Sequence, residues 1–262
     1  MVSSSHPPLL PGRPVIAQRW SRAVFLHWRV DAARLEPLLP PGVRPDVFDG
    51  SGWVGLVPFV LSQFQFLPAP PVPFLGTFNE INVRTYGLDD EGRRGVVFLT
   101  LEAEHLIPVL TAHALFGLPY RWASIGHRLG SEGAECAEDS EDSEGAATVE
   151  YRSRRRRVDG AARGPGTRLR VRVGDEVVDD DLSRFLTARW GFHERHLGRT
   201  IWAANAHEPW PLRRAELIGI RDGLLANRGF AGLVGRRPDS VLAMPMDHPG
   251  FVTQFAAPVR VH

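Results

Sequence analysis

The chain contains no lysine; all 31 basic residues among its 262 are arginine. A Schiff base needs a nucleophilic amine, and lysine is its usual source. Here only the chain's own N-terminus offers one, so lysine imine chemistry and internal attachment of pyridoxal phosphate are excluded. A single cysteine, Cys136, excludes an intramolecular disulfide framework and a cysteine-built zinc cluster. No run of about 18 uninterrupted apolar residues occurs, which argues against a transmembrane helix and any membrane role. A net excess of either charge is missing too. With 31 basic and 30 acidic residues the net charge is +1, too weak a field for general nucleic-acid binding. The opening residues have neither a basic start nor a long apolar stretch, so no signal peptide is expected and the cytoplasm is the expected compartment.

What is present is a composition 43% hydrophobic, on a chain long enough to bury a substantial core. Prolines at 7, 8, 11 and 14 predict a flexible arm over residues 1–17, followed by one domain over 18–262. Val24, Leu26, Trp28 and Val30 alternate with Phe25, His27 and Arg29, which predicts a strand. Asp31 caps a short helix to residue 39, stopped by Pro40-Pro41-Gly42. Further strands are expected at 53–61, where Pro58 marks an edge or a bend, and at 78–86 and 95–102, joined by a turn at 89–92. A helix is expected over 107–116. The 167–173 stretch reads as a strand with Arg168, Arg170 and Arg172 on one face. Asp179-Asp180-Asp181 opens a helix to Trp190. Late strands are expected at 199–206, 210–220 and 240–247. Strands outnumber helices and the hairpins read as antiparallel. The expected class is α+β, a large antiparallel sheet curled into a barrel or cone with a few short helices.

Residues 131–145 carry seven acidic side chains and no basic one, and 152–157 carry five arginines. Two opposite charge blocks on a solvated hairpin, with an acidic loop insertion at about 130–147, explain these runs better than an RNA or phosphate patch. Cys136 lies in the acidic block, the opposite of the electropositive setting that activates a thiol.

The segment richest in chemistry is Phe78-Asn79-Glu80-Ile81-Asn82-Val83-Arg84-Thr85-Tyr86. On a strand Glu80, Asn82 and Arg84 share one face, with neighbours ~7 Å apart and the outer pair ~13 Å apart. That row suits either a cavity wall or a solvated face, and spacing leaves both open. In a cavity, Arg84 clamps a carboxylate. His27 and Arg29 share a face of their strand, where they offer an acid–base group and a second anion ligand, or a hydrogen-bonded structural histidine. His193-Glu194-Arg195-His196 falls one residue short of the zinc-protease spacing and reads as a surface helix end, so no metal site is expected. His113 reads as a core-edge residue. No phosphate loop, dinucleotide glycine fingerprint or serine elbow occurs, and no cofactor is expected.

His27-Trp28, Leu35-x-x-Leu-Leu-Pro-Pro-Gly42, Phe48-Asp49-Gly50, Trp53-Val-Gly-Leu-Val-Pro-Phe59, the 78–86 segment and Leu118-Pro119-Tyr120 occur here in an order that resembles the YqjF-like proteins. Tyr151-Arg-Ser-Arg154, Phe185-Leu-Thr-Ala-Arg-Trp190 and Pro209-Trp210 extend the likeness over residues 18–255. The resemblance implies an acetoacetate decarboxylase-like fold, a β-rich cone whose interior is the active site, with the polar face of 78–86 looking inward. Acetoacetate decarboxylase uses a lysine pair after a proline. The corresponding place here reads Pro119-Tyr120-Arg121, so that nucleophile is absent.

Two functions follow from that resemblance. One is an internal pocket for a small carboxylate-containing molecule, with a binding or accessory role. The alternative is a lysine-independent lyase acting on a keto or hydroxy acid. In it Glu80 is the acid or base, Tyr120 a hydrogen-bond donor, and Arg84, Arg121, Asn82, His27 and Arg29 hold the ligand. Neither reading calls for a nucleic acid or membrane partner, and homo-oligomerisation is left open.

Overall fold

The computed structural model describes residues 6–105, 117–131, 146–156 and 164–261. The helix expected over 107–116 with His113, and the acidic segment with Cys136, lie outside them.

Strand β1 (Pro14–Ser21) bends into β2 (Val24–Val30) through Arg22, a non-glycine residue at φ 54°. Both run antiparallel to the long β4 (Gly52–Phe66), β1 along its second half and β2 along its first. The structure therefore begins its first strand at Pro14, inside the expected arm, because Ile16 and Ala17 are buried between two neighbouring strands. Pro58 is on neither an edge nor a bend in the ordinary sense. It falls in the gap where the partner of β4 changes, after Leu56 faces β2 and before Val60 faces β1. A residue without an N–H loses nothing in that gap.

Residues 31–39 form two single 3-10 turns, Ala32–Arg34 and Glu36–Leu38, rather than one helix. Asp31 caps the first, as its type predicts, and Pro37 denies the second a continuing N–H. A short β3 (Val43–Pro45) leads to β4, then β5 (Phe78–Asp89) and β6 (Arg94–Ala103) form the expected hairpin. After these come β7 (Tyr120–Ser131), β8 (Ala147–Arg155) and β9 (Thr167–Val177). Helix α1 (Asp181–Thr187) has a capping box between Asp180 and Ser183. It stops before Trp190, where Arg189 turns its Nε back onto the Phe185 carbonyl at 2.5 Å. Next come β10 (Gly191–His196), β11 (Arg199–His207), β12 (Arg213–Asp222), β13 (Ser240–Ala243), β14 (Phe251–Ala256) and β15 (Val259–Arg260).

These strands join in one mixed sheet, not a purely antiparallel one. β6 pairs in parallel with both β7 and β10. Parallel neighbours need a long connection, and β6 ends at Ala103 while β7 begins at Tyr120. The pairing path returns on itself twice. One circuit runs β1–β14–β11–β10–β6–β5–β4 and back to β1. The other runs β6–β7–β8–β9–β12–β13–β2–β4–β5 and back to β6. They share β4, β5 and β6.

Alternation on the shared strands separates two interiors. Ile81 and Val83 of β5 join Leu26, Trp28, Leu56 and Tyr151 in the apolar core that fills the second circuit. Phe78, Glu80 and Arg84 face the first circuit, which holds a cavity instead. A bulge leaves Leu99 unpaired between Phe98, opposite Arg84, and Thr100, opposite Val83. It lets both Phe98 and Leu101 face the cavity while Leu99 joins the core. In β9, Leu169, Val171 and Val173 are buried, and Arg168 and Arg172 reach Glu150 and Glu216 outside. No helix among the described residues is long and apolar enough to cross a membrane.

Candidate functional site

The cavity inside the first circuit holds about 220 Å³. Strand β5 gives it Glu80 and Arg84, β7 gives Tyr120, β11 gives Asn205 and His207, and the residue after α1's C-cap gives Arg189. Aromatic carbon makes up much of the remaining wall.

Glu80 is 2% exposed and accepts a hydrogen bond from the Tyr120 hydroxyl, 2.8 Å to Oε2. Burial pushes its pKa from 4.5 up to about 8, against the opposing pull of Tyr120 and the Asn82 amide. At neutral pH the carboxyl therefore keeps its proton. Burial and the neighbouring Glu80 push Tyr120 well above the ordinary phenol range. Asn82 is fully buried and neither of its amide atoms makes a hydrogen bond by distance and angle, so its action on Glu80 is a weaker contact.

Arg84 is 3% exposed. Its Nη2 donates to the Leu186 carbonyl at 3.3 Å, and its guanidinium lies 5.5 Å from the Phe25 ring and 5.6 Å from that of Tyr86. No carboxylate pairs with it among the described residues. Arg189 is paired, to Asp46, and packs 4.1 Å from Phe185 and 4.4 Å from Tyr86. Asp46 also holds Arg94 at 3.0 Å. One carboxylate thus faces two guanidinium groups while Arg84 beside them has none. Burial lowers the Arg189 pKa and Asp46 opposes that, so the group stays cationic.

His27 is buried behind this wall. Its Nε2 sits 2.6 Å from the Tyr86 hydroxyl, which is also 2.8 Å from the Leu186 carbonyl. Burial, then Arg84 and Arg189, hold its pKa well below 6.5, so it is neutral. Gly55 makes room for it, because a Cβ there would stand 2.8 Å from Nε2. His27 is thus joined to the site through Tyr86 and does not line the cavity.

His207 does line it. Its Nδ1 lies 2.7 Å from the Glu208 carbonyl, which can only accept, so Nδ1 carries the proton and Nε2 a lone pair. Burial, with Arg84 adding, lowers its pKa to about 4. The ring stacks on Trp210, 4.1 Å between centroids and 8° from parallel.

The other expected residues lie elsewhere. Arg29 stacks 4.8 Å from Trp53 and pairs with Asp49 at 3.2 Å, away from the cavity. Arg121 is exposed and points away from it, since neighbours on a strand face opposite ways and Tyr120 takes the inward place. His193 to His196 is strand β10, not a helix end. His193 and His196 therefore face opposite sides, and His193 is buried 3.1 Å from Asp89. Among the described residues no three His, Cys, Asp or Glu side chains gather as a metal site.

Arg189, Asn205 and His207 were not expected from the sequence. Arg189 lies inside the Phe185–Trp190 motif, and the β10–β11 hairpin carries Asn205 back beside it, with Asn205 N donating to the Trp190 carbonyl at 3.0 Å. Five polar atoms on cavity residues lack a hydrogen bond: Arg84 Nε, Arg189 Nη2, Asn205 Oδ1 and the indole nitrogens of Trp20 and Trp210. Buried polar atoms are normally satisfied. This wall has polar capacity unspent on the protein itself.

Comparison with known proteins agrees with this architecture. The chain is 28% identical over 202 residues to the uncharacterized protein YqjF of Bacillus subtilis (strain 168), covering 77% of this chain and 76% of that one. An acetoacetate decarboxylase-like enzyme from Sphingomonas wittichii RW1 superposes with a TM-score of 0.62 at 15% identity, over 96% of this chain and 94% of its own. The enduracididine biosynthesis enzyme MppR, complexed with the condensation product of pyruvate and imidazole 4-carboxaldehyde, gives 0.57 at 14% identity, over 95% and 90%. Acetoacetate decarboxylase from Legionella pneumophila gives 0.57 at 11% identity, over 97% and 88%. At these identities the structures share a fold. A family model matches residues 17–247, and the chain belongs to that family, DUF2071, described as an uncharacterized conserved protein.

Proposed function

We propose that the first strand circuit is the wall of a cone-like pocket for a small 2-oxo or hydroxy acid, and that Glu80 moves a proton on it. The observation that carries this reading is Arg84, a buried guanidinium on the cavity wall with no carboxylate partner among the described residues. An unpaired buried charge is expensive, and a ligand carboxylate supplies the missing partner. The unbonded Arg189 Nη2 adds a second donor on the same wall.

Glu80 is not that partner. It is neutral at pH 7 and held by Tyr120. In its protonated form it donates to a developing enolate or leaving hydroxyl. Above pH 8 it accepts the proton of a carbon next to a carbonyl. Tyr120 holds the carboxyl in place. This is general acid–base and electrostatic catalysis of enolisation, dehydration or an aldol-type step, with no imine. A structure of the same fold, MppR, is complexed with the condensation product of pyruvate and imidazole 4-carboxaldehyde.

The test is deuterium exchange at C3 of 2-oxo acids of three to nine carbons, followed by proton NMR in D2O. Catalysed exchange that is lost in Glu80→Gln, with ligand binding kept, is expected. Exchange unchanged in Glu80→Gln overturns the role of Glu80.

A second reading is favoured by the guanidinium contacts. Both arginines already donate to backbone carbonyls of α1, a rigid mounting that suits a protein that holds an acid without transforming it. Saturable binding with no exchange on any of these acids selects it.

A further inference from the structure

His207 is 6% exposed, lines the cavity, and has no part in the work of Glu80 and Tyr120. Its ring touches two indoles, 4.8 Å from Trp190 and 4.1 Å from Trp210. The Glu208 carbonyl fixes the proton on Nδ1, so Nε2 is an acceptor. Nε2 takes no hydrogen bond among the described residues. Arg84 is near it. Phe25 touches both the Arg84 guanidinium, at 5.5 Å, and Trp210, at 5.4 Å, on which His207 stacks. The Arg84 charge is close enough to help keep the imidazole neutral. Asn205, two residues before His207 on β11, faces the same cavity and leaves Oδ1 unbonded. An amide can turn its nitrogen into that place, whereas His207 is locked as an acceptor by its other nitrogen.

This corner offers two kinds of group to one ligand. The guanidinium groups of Arg84 and Arg189 only donate, and His207 Nε2 only accepts. A carboxylate satisfies an arginine and brings no donor. A carbonyl beside it is another acceptor and leaves Nε2 unmet. A hydroxyl beside it donates to Nε2. An ammonium also donates, but it places another cation in the field of Arg84, which already disfavours a charged imidazole there.

We propose that the acid bound on Arg84 is a 2-hydroxy acid, with its carboxylate on the guanidinium and its hydroxyl donating to His207 Nε2. This rests on the carboxylate reading given above and adds the group on the next carbon. The enol of a 2-oxo acid carries an O–H in the same place, so the contact also favours enolisation over the keto form.

The experiment is calorimetric titration of the full chain at pH 7 with lactate, pyruvate, propanoate, alanine and the neutral lactamide, repeated on the 4-methylpentanoate skeleton so that size does not decide the result. A buried acceptor left unmet weakens binding by on the order of 10- to 100-fold. On whichever skeleton binds, the hydroxy acid is therefore expected at least ~10-fold tighter than the oxo, amino and unsubstituted acids. Equal affinity for the hydroxy and unsubstituted acids overturns the hydroxyl contact and leaves the carboxylate anchor standing. An oxo or amino acid that binds as tightly as the hydroxy acid overturns the choice of group in the same way. Equal affinity for the hydroxy acid and its amide overturns the anchor, and the proposal with it. Absence of binding by every probe overturns both. A second measurement locates the contact without a substitution. In protein labelled with 15N-histidine, the His207 Nε2 signal is expected to move toward that of a hydrogen-bonded nitrogen on saturation with the hydroxy acid and to stay in place with the unsubstituted acid. A signal that stays in place with both overturns the contact. In His207→Phe, which keeps a ring on Trp210, the ratio of hydroxy to unsubstituted affinity is expected to fall to about one. A ratio kept in a folded His207→Phe protein, checked by its melting temperature, gives the hydroxyl to another acceptor and overturns the role of His207.

Discussion

Glu80 shows what burial does to one carboxyl and what that costs the fold. Its pKa is about 8 in the folded chain, against the ordinary 4.5. Between those values the unfolded chain has released this proton and the folded chain has kept it. Rising pH therefore favours unfolding, and the stability present below 4.5 is lost by about 8. Glu80→Gln carries no such titration. Its stability relative to wild type is expected to rise between pH 5 and pH 9 by roughly 1 kcal/mol or more, a Tm difference of ~2–4 °C. A constant difference across that range contradicts the burial. The histidines act in the opposite direction. His207, lowered from 6.5 to about 4, is neutral in the fold and charged in the unfolded chain over that interval, so stability falls as pH drops through it. Asp46 is the other residue on which the site depends, since among the described residues it alone pairs the buried Arg189. Asp46→Asn leaves that charge without a carboxylate and is expected to cost ~3–5 kcal/mol in urea unfolding. A cost under ~1 kcal/mol would show that Arg189 is compensated elsewhere.

At the scale of elements, α1 is short but decides where two arginines stand. Its Phe185 and Leu186 carbonyls receive Arg189 and Arg84. Its start is fixed by the Asp180–Ser183 capping box. Asp180→Ala is expected to cost ~1 kcal/mol and to weaken carboxylate binding, measured by melting and titration of the same preparation. Loss of stability with affinity unchanged separates the helix from the site. The elements legible in the sequence are those with a clean local signal. β5 and β6 alternate about a turn, and β9 carries arginines on one side and valines on the other. Those missed lack such a signal. β1 begins on a proline and is held by burial against β4 and β14. β10 carries two histidines at helical spacing, and only its partners β6 and β11 make it a strand. The site divides in the same way. Glu80 and Arg84, which line the cavity, stand out by period two on one strand, whereas Arg189 and His207 join its wall only when β11 and the end of α1 are in place. Arg121 shows the limit of reading by neighbourhood, because the same alternation that turns Tyr120 inward turns it outward.

Over the whole molecule, two strand circuits share β4, β5 and β6. One is filled with side chains and the other is kept open. Neither can open without breaking strands that the other uses. Unfolding is therefore expected as one transition, with far-UV circular dichroism and tryptophan fluorescence coincident, since Trp20 and Trp210 report on the open circuit and Trp28 on the filled one. Two separated transitions would contradict the shared wall. The filled circuit gives the open one a rigid back, which is what holds a buried acid, a phenol and an unpaired guanidinium around 220 Å³ of empty space. Burial in the wall of this space keeps the Glu80 carboxyl protonated at neutral pH. The most direct measurement is a pH titration of side-chain carboxyl-13C-labelled glutamate by NMR, with the Glu80 signal assigned by its absence in Glu80→Gln. An inflection near 8 is expected. An inflection at the ordinary 4.5 would contradict it and leave the cavity with an ionised carboxylate that cannot serve as the acid.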